Sequence, residues 1–225
     1  MNGSKYFPLT YTLIVLNSAV FLFSAFNSGE VVDIDLKTLV DMGALYGPFV
    51  VLKGEWWRLL SAMFLHGGMT HLLMNMVSLY IVGRGMELYF SKTAYVAIYL
   101  FSGLIGSMAS LYMHPESVGV GASGAIFGVF GALAGYFLAH RQQIASHSKE
   151  LVKDFMTILA LNLVMGIAIP SIDLSAHMGG LITGLVGGFM IAKSPKYILW
   201  FIGLSAVALG MAVPFLHAYY VQIYM

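Results

Sequence analysis

The chain has 225 residues, of which 59% are hydrophobic and only 9% are charged, whereas about 25% of the residues in a typical soluble domain are charged. This composition excludes an ordinary soluble protein and predicts one whose surface is solvated by a lipid bilayer. The absence of cysteine excludes disulfides and thiolate chemistry, and a net charge of +1 lacks the basic footprint of a nucleic-acid-binding protein.

Charged residues divide the chain into seven uncharged stretches of at least 18 residues, which are 6–29, 59–83, 93–115, 117–140, 155–172, 174–192 and 197–225. A helix needs about 20 mostly apolar residues to cross the hydrocarbon core of a bilayer. We therefore predict an all-α fold, a polytopic membrane helix bundle that forms a single domain over residues 1–225. Its core spans occupy about 8–193, and a seventh span occupies about 197–217.

The first stretch follows Lys5 and has the apolar run of a secretory signal. Residues 24–29 offer no good small-x-small cleavage site, and the run is longer than the apolar region of a signal peptide. We therefore predict a retained first span. The short chain also shows no presequence for an organelle, which favours the inner membrane of a bacterium.

Basic residues predict the orientation. With the amino terminus in the cytoplasm, only three basic residues lie outside, Lys37, Lys53 and Arg58, and eight lie inside: Lys5, Arg84, Lys92, Arg141, Lys149, Lys153, Lys193 and Lys196. Because basic loops stay in the cytoplasm, this orientation is favoured, and seven spans then place the carboxyl terminus outside. The inner loop 141–154 is predicted to be a solvated connector.

The second stretch is interrupted by Gly67 and Gly68, and Thr70 is a suitable N-cap just after them. We therefore expect the second span at about 70–90. Residues 30–68 become a long outer loop, and its many apolar and aromatic side chains predict that it lies in the outer membrane interface.

Three spans that begin on the outside carry polar groups in their first turns. The second span has His71 and Asn75, the fourth has Ser123, and the sixth has His177. Because even-numbered spans run in the same direction, these groups are expected at one depth, just below the outer surface.

Glycine repeats predict how the fourth and sixth spans pack. Small residues four apart, Gly124 and Gly128 in one span and Gly180, Gly184 and Gly188 in the other, allow two helix backbones to approach closely. Such a crossing brings the Ser123 hydroxyl towards the imidazole of His177, as an activated serine nucleophile requires. His71 and Asn75 share a helix face and can donate hydrogen bonds to an oxyanion, as can the backbone near Ser123, where Gly121 permits an unusual turn.

Each of these features also has a purely structural interpretation. Glycine, serine and asparagine are common packing residues in membrane helices, and a single interfacial histidine is often only a hydrogen-bond donor. Asp173, four residues before His177, is either the third member of a triad or the N-cap of the sixth span. We favour the cap, because it requires only the local position of the residue.

These motifs together resemble the rhomboid family of intramembrane serine proteases. The matching segments follow the family order and cover roughly residues 43–190: Glu55-Trp56-Trp57-Arg58, His66 with His71 and Asn75, Gly121-Ala122-Ser123-Gly124, and Ala176-His177-Met178-Gly179-Gly180 with Gly184. The resemblance implies a six-helix core with one additional C-terminal span.

The resemblance also implies site roles. Ser123 is the expected nucleophile and His177 the general base of a dyad without a catalytic acid, while His71 and Asn75 stabilise the oxyanion. Structural support is expected from Trp57, Arg58, His66, Gly121, Gly124, Phe127, Gly180 and Gly184, where Phe127 stands at a position that is often tyrosine and packs on the histidine.

The resulting expectation is an endopeptidase that cleaves transmembrane proteins near the outer face of the bilayer. It needs no cofactor and no metal, and its partners are transmembrane substrates and the lipid bilayer, not nucleic acid. The alternatives are an inactive rhomboid-like chaperone for membrane clients and a transporter. The retained serine and histidine disfavour the chaperone, and polar residues confined to one face disfavour a transporter. The oligomeric state stays open.

Overall fold

The computed structural model describes residues 6–143, 149–168 and 172–225, so Lys5 and residues 144–148 of the predicted inner loop lie outside the described residues. Seven long helices occupy the predicted stretches, namely α1 (Pro8–Ser28), α4 (Met69–Tyr89), α5 (Lys92–Met113), α6 (Ser123–Ala139), α7 (Lys149–Ala168), α8 (Leu174–Lys193) and α9 (Ile198–Tyr224). The chain is thus the predicted polytopic helical bundle. Helix α9 continues through Pro214 to Tyr224, seven residues beyond the predicted end at 217.

Within the described ranges, four segments are both long and apolar enough to cross a membrane: Pro8–Ser28, Lys92–Met113, Leu174–Lys193 and Pro195–Tyr224. The other three long helices are more polar or shorter. Helix α4 carries Arg84 and Glu87, α6 has 17 residues, and α7 begins with charged residues. Spanning by these three helices remains a prediction.

The helix predicted at about 70–90 is present as α4, which begins at Met69, directly after Gly68. The preceding loop, residues 30–68, is more structured than the sequence indicates. It contains helix α2 (Leu36–Asp41), strand β1 (Leu45–Tyr46), a π-helical turn (Pro48–Leu52), helix α3 (Arg58–Ser61) and a 3₁₀ turn (Ala62–Phe64). Strand β1 pairs antiparallel with β2 (Val118–Gly119), which ties the loop to the segment leading into α6.

Helices α6 and α8 cross as closely as the glycine repeats predict. A Cβ added to Gly180 would overlap the carbonyl oxygen of Gly124, and one added to Gly184 would overlap that of Gly128. The contacts advance in the same order along both helices, so the two helices are parallel. Their first turns therefore lie at the same end of the bundle.

Helix α5 packs against both α6 and α8, and the loop 30–68 also packs against it. The Met63 side chain lies against Gly103 of α5, in a space that a Cβ at position 103 would fill. At the end of α5, the Tyr220 hydroxyl of α9 donates a hydrogen bond to the Leu111 carbonyl at 2.8 Å. The loop and the last helix are thus both anchored on α5.

Candidate active site

Ser123 opens helix α6, and the turn before it depends on glycine. Gly121 has a φ of +126°, which L side chains rarely adopt, and its N–H donates to the Ala62 carbonyl at 2.9 Å. This hydrogen bond holds the turn that Gly121 permits, so the Gly121 amide is already paired. The first intrahelical bond runs from the Ile126 N–H to the Ala122 carbonyl at 3.0 Å, so the preceding amides of Ser123, Gly124 and Ala125 have no intrahelical acceptor and are the available donors. Ser123 is partly exposed, while residues 124–133 are buried.

His177 lies in the first turn of α8 and is buried, with 6% of its surface exposed. Its imidazole stacks on the Phe127 ring, with centroids 4.1 Å apart and planes inclined by 16°. Its Nδ1 atom is buried and has no hydrogen-bond partner among the described residues. Nδ1 faces α7, where a Cβ added to Gly166 would lie 3.4 Å from it.

The position of Phe127 shows where the His177 imidazole lies relative to Ser123. Ser123 and Phe127 are four residues apart in α6, so they share one helix face. The imidazole that stacks on Phe127 therefore lies beside the face that carries Ser123, one turn further along. In the described part of the chain, no hydrogen bond joins the Ser123 hydroxyl to His177. Such bonds are often long in free enzymes and shorten when substrate binds.

Asp173 caps α8, as favoured from the sequence. Its Oδ1 accepts from the Ala176 N–H at 3.1 Å and from the Ser175 hydroxyl. Because Nδ1 of His177 has no partner in the described ranges, no hydrogen bond of the triad type joins Asp173 to the imidazole. The observed role of this carboxylate is to hold the first turn of α8.

His71 and Asn75 occupy the first turns of α4. The His71 Nδ1 accepts a long, 3.5 Å hydrogen bond from the Gly67 N–H, so the proton of a neutral ring resides on Nε2. A Cβ at Gly121 would lie 2.8 Å from that Nε2, so the ring faces the turn before Ser123. Asn75 is buried, and its Nδ2 donates to the His71 carbonyl at 3.0 Å, which leaves a second N–H free.

Two of the predicted supporting residues, Trp57 and Arg58, lie in the loop 30–68, and Arg58 joins distant parts of its backbone. Arg58 is 5% exposed; its Nε pairs with Glu55 at 2.6 Å, and its Nη1 donates to the carbonyls of Val40 and Ala44 at 2.7 and 3.1 Å. Trp57 is 54% exposed and lies 4.8 Å from the Arg58 guanidinium. The buried Arg58 guanidinium thus links the two ends of the segment 40–58.

His66 is buried behind His71. The two rings meet edge to face at a centroid distance of 5.2 Å, and neither ring nitrogen of His66 has a partner in the portion of the chain described. Burial, together with the nearby His71, lowers the pKa of His66 from its usual 6.5 to about 3. The ring is therefore neutral and supports the site by packing.

Three contributors to the site were not predicted from the sequence. These are Ala62, whose carbonyl holds Gly121, Met63, which fills the space over Gly103, and Gly106, which packs on α8. Small residues recur three or four apart in α5, at Ser102, Gly103, Gly106, Ser107 and Ser110. That pattern could have identified α5 as a close-packing helix. Within the described residues, no group of three or more His, Asp or Glu side chains could hold a metal ion.

Comparisons with known proteins identify the family of the chain. Residues 53–194 match the model of the Rhomboid domain. The chain is 41% identical over 161 residues to RHOMBOID-like protein 2 of Arabidopsis thaliana, covering 72% of this chain and 50% of the relative. It is 35% identical over 226 residues to Rhomboid protease GluP of Bacillus subtilis (strain 168), covering 96% of this chain and 42% of the relative.

A third relative matches over most of its own length. Putative rhomboid protease YdcA of Bacillus subtilis (strain 168) is 32% identical over 191 residues, covering 84% of this chain and 88% of that protein. By contrast, the chain spans about half the length of the first two relatives.

Proposed function

Because this chain belongs to the rhomboid family, we propose that it is an intramembrane serine endopeptidase that cleaves transmembrane proteins through Ser123 and His177. The single observation that carries the proposal is the stacking of His177 on Phe127, one turn below Ser123 on the same face of α6. A buried imidazole held flat beside a serine at a helix start is suited to general-base catalysis.

The reaction is acyl transfer in two steps. The Ser123 Oγ attacks the peptide carbonyl while His177 removes the hydroxyl proton. The C–N bond then breaks, and the imidazolium gives that proton to the leaving amine. Water next attacks the acyl-serine ester, giving its proton to His177, and the serine leaves with a proton returned by the imidazolium. Since Ser123 is partly exposed, water can reach the ester from the outer end of the bundle.

In the proposed mechanism, three donors in the first turns of α4 and α6 stabilise the oxyanion. They are the Ser123 N–H at the start of α6, the Nε2–H of His71 and the free amide proton of Asn75. The long Gly67 bond fixes the His71 tautomer, and Gly121 leaves room for the ring. These donors are in place before the substrate arrives, which is the requirement for electrostatic preorganisation.

The substrate class and the orientation are part of the proposal. A transmembrane substrate helix enters from the lipid, unwinds near the outer surface and presents a bond to Ser123. The family resemblance suggests small residues just before the cut. With the basic residues inside, the amino terminus is cytoplasmic and the carboxyl terminus is outside. We place this integral membrane protein in a bacterial inner membrane, with the loop 30–68 in the outer interface.

Cleavage by the reconstituted protein tests the proposal. The wild-type chain in liposomes should cut a model transmembrane protein near its outer end, while the Ser123→Ala and His177→Ala variants should not. Thermal unfolding of all three proteins in micelles should be similar, which separates lost chemistry from lost folding. Normal turnover by purified Ser123→Ala protein would overturn the assignment.

A further inference from the structure

The first turn of α8 lies between two glycines that belong to different helices. A Cβ added to Gly106 of α5 would lie 2.6 Å from the carbonyl oxygen of Ala176, and a Cβ added to Gly124 of α6 would lie 3.4 Å from the same atom. Ala176 directly precedes His177. The backbone next to the histidine is therefore confined on both sides.

The contact between α5 and α8 is reciprocal. A Cβ at Gly179 would lie 3.1 Å from the Gly106 Cα and 3.1 Å from the Ala109 Cβ. Gly106 is buried, and its neighbour across the interface is a backbone carbonyl, which cannot rotate away as a side chain could. The spacing of the two helices at this level is thus set by the absence of a side chain at position 106.

We propose that Gly106 is a positioning residue for His177. Because Gly106 has no side chain, the Ala176 carbonyl can contact the backbone of α5 directly. This contact keeps the first turn of α8 at the depth where the imidazole stacks on Phe127 and reaches Ser123. Gly106 touches neither the substrate nor the reacting atoms. This inference rests on the proposed serine protease function, and it concerns a helix contact other than the predicted one between α6 and α8.

The expected loss of activity in Gly106→Ala follows from the distance between an added Cβ and the Ala176 carbonyl oxygen. Ordinary contact with a Cβ begins at 3.4 Å, so alanine at position 106 has to move the Ala176 carbonyl by about 0.8 Å, the difference between 3.4 and 2.6 Å. A displacement of about 1 Å at a catalytic group costs on the order of 100-fold in rate. Gly106→Ala should therefore lower kcat by about 10- to 100-fold and leave KM within about twofold, since substrate binding does not involve the base.

Two glycines elsewhere provide matched controls. A Cβ at Gly187, also in α8, would meet the Phe201 ring, with Cδ2 at 2.7 Å, so Gly187→Ala strains the same helix ten residues beyond His177. That separation is about 15 Å along a helix. Gly210 of α9 has no atom within 4 Å of an added Cβ, so Gly210→Ala changes only the local helix propensity.

The experiment compares kcat, KM, the pH–rate profile and thermal unfolding for the full-length wild type and the three variants, with a fluorogenic transmembrane substrate. We expect only Gly106→Ala to lose kcat and shift the pH–rate profile, whereas Gly187→Ala loses thermal stability alone. If the kcat of Gly106→Ala equals that of Gly187→Ala, Gly106 does not position His177, but the proposed protease function is unaffected. A wild type that does not cleave overturns the proposed function and this inference with it.

A second variant keeps the test informative if Gly106→Ala does not fold. Gly179→Ala meets its neighbours at 3.1 Å, so a shift of only a few tenths of an ångström relieves it. Its kcat should fall by a smaller factor, again with unchanged KM. An unchanged kcat in folded Gly179→Ala protein would overturn the proposal.

Discussion

The imidazole of His177 lies nearly parallel to the phenyl ring of Phe127, at a centroid distance of 4.1 Å and an interplanar angle of 16°. The contact joins two parallel helices one turn below Ser123. In the proposed dyad, this contact takes the place of the carboxylate of a triad, because packing instead of a hydrogen bond to Nδ1 sets the ring plane of the histidine. The imidazole can therefore be oriented without a third catalytic residue.

Phe127→Ala should lower kcat by about two- to tenfold, since an aromatic pair contributes about 0.5–1.5 kcal/mol beyond its burial. Phe127→Tyr keeps the ring and should retain most of the activity. The Phe130→Leu variant alters the neighbouring buried ring of α6, so it controls for general loss of packing. Equal kcat values for Phe127→Ala and Phe130→Leu would contradict a specific role for the stack.

Asp173→Asn should retain close to wild-type kcat, because asparagine is as good an N-cap as aspartate. If Asp173 were the third member of a triad, the loss would approach 10⁴-fold. Asp173→Leu removes the cap and should lower the melting temperature of the protein. Kinetics and thermal unfolding of the two variants separate the roles, and a large loss of kcat in Asp173→Asn would show that the carboxylate acts on His177.

Glu87 should stabilise the fold without affecting the chemistry. From the far end of α4, its carboxylate accepts from the Thr10 N–H and hydroxyl at 2.8 and 2.7 Å and from the Leu9 N–H at 3.3 Å, at the start of α1. Glu87→Ala should cost about 2–3 kcal/mol of unfolding free energy, since hydrogen bonds to charged groups are the stronger ones. Glu30→Gln, at an exposed position, is the control.

Activity normalised to folded protein should not change in Glu87→Ala. Glu87 is 16 residues from His71 in the same helix, which is about 24 Å. A fall in kcat of the folded variant would mean that the two ends of α4 are coupled.

His66 should make the protein less stable as the pH falls below neutrality. Burial lowers the pKa of His66 to about 3 in the folded protein, whereas the unfolded residue titrates near 6.5. Between these values the unfolded chain binds a proton that folded His66 does not, so stability present above pH 6.5 is lost as the pH falls towards 3. The slope approaches about 1.4 kcal/mol per pH unit.

The difference between wild type and His66→Asn isolates this contribution from the other histidines. We expect the wild type to lose more unfolding free energy than the variant between pH 7 and pH 5. In this window Asp35, with a pKa lowered to about 2 by its hydrogen bonds from Thr38, does not titrate. Parallel pH profiles for the two proteins would show that His66 becomes protonated in the folded state.

The long helices could be predicted because a bilayer imposes a strict rule on sequence. Charged residues are confined to span ends, so their positions give the approximate bounds of helices such as α1 and α5. The contact of Gly124 with Gly180 was equally predictable, because glycine four residues apart has few uses other than close helix packing.

The short elements of the outer loop could not be predicted from local pattern. Strand β1 has two residues, and its partner Val118–Gly119 lies more than 70 positions further along the chain, so only the tertiary fold forms the pair. The contact of Gly106 with the Ala176 carbonyl could not be predicted either, because a single glycine in an apolar helix does not indicate which backbone it faces. The helices that carry Ser123 and His177 were predictable, and the family resemblance implied that Phe127 packs on His177. The stacked geometry of that contact depends on side-chain packing and was not predicted.

Covalent labelling with a fluorophosphonate shows directly whether Ser123 is an activated nucleophile, because only an activated serine reacts with it. We predict that the wild type in micelles is labelled and that peptide mass spectrometry finds the phosphonyl group on Ser123. Ser123→Ala should not react, and His177→Ala should react at least 100-fold more slowly, in line with the usual 10²–10⁴-fold contribution of a general base. An unlabelled but folded wild type would contradict the account and favour an inactive rhomboid-like chaperone.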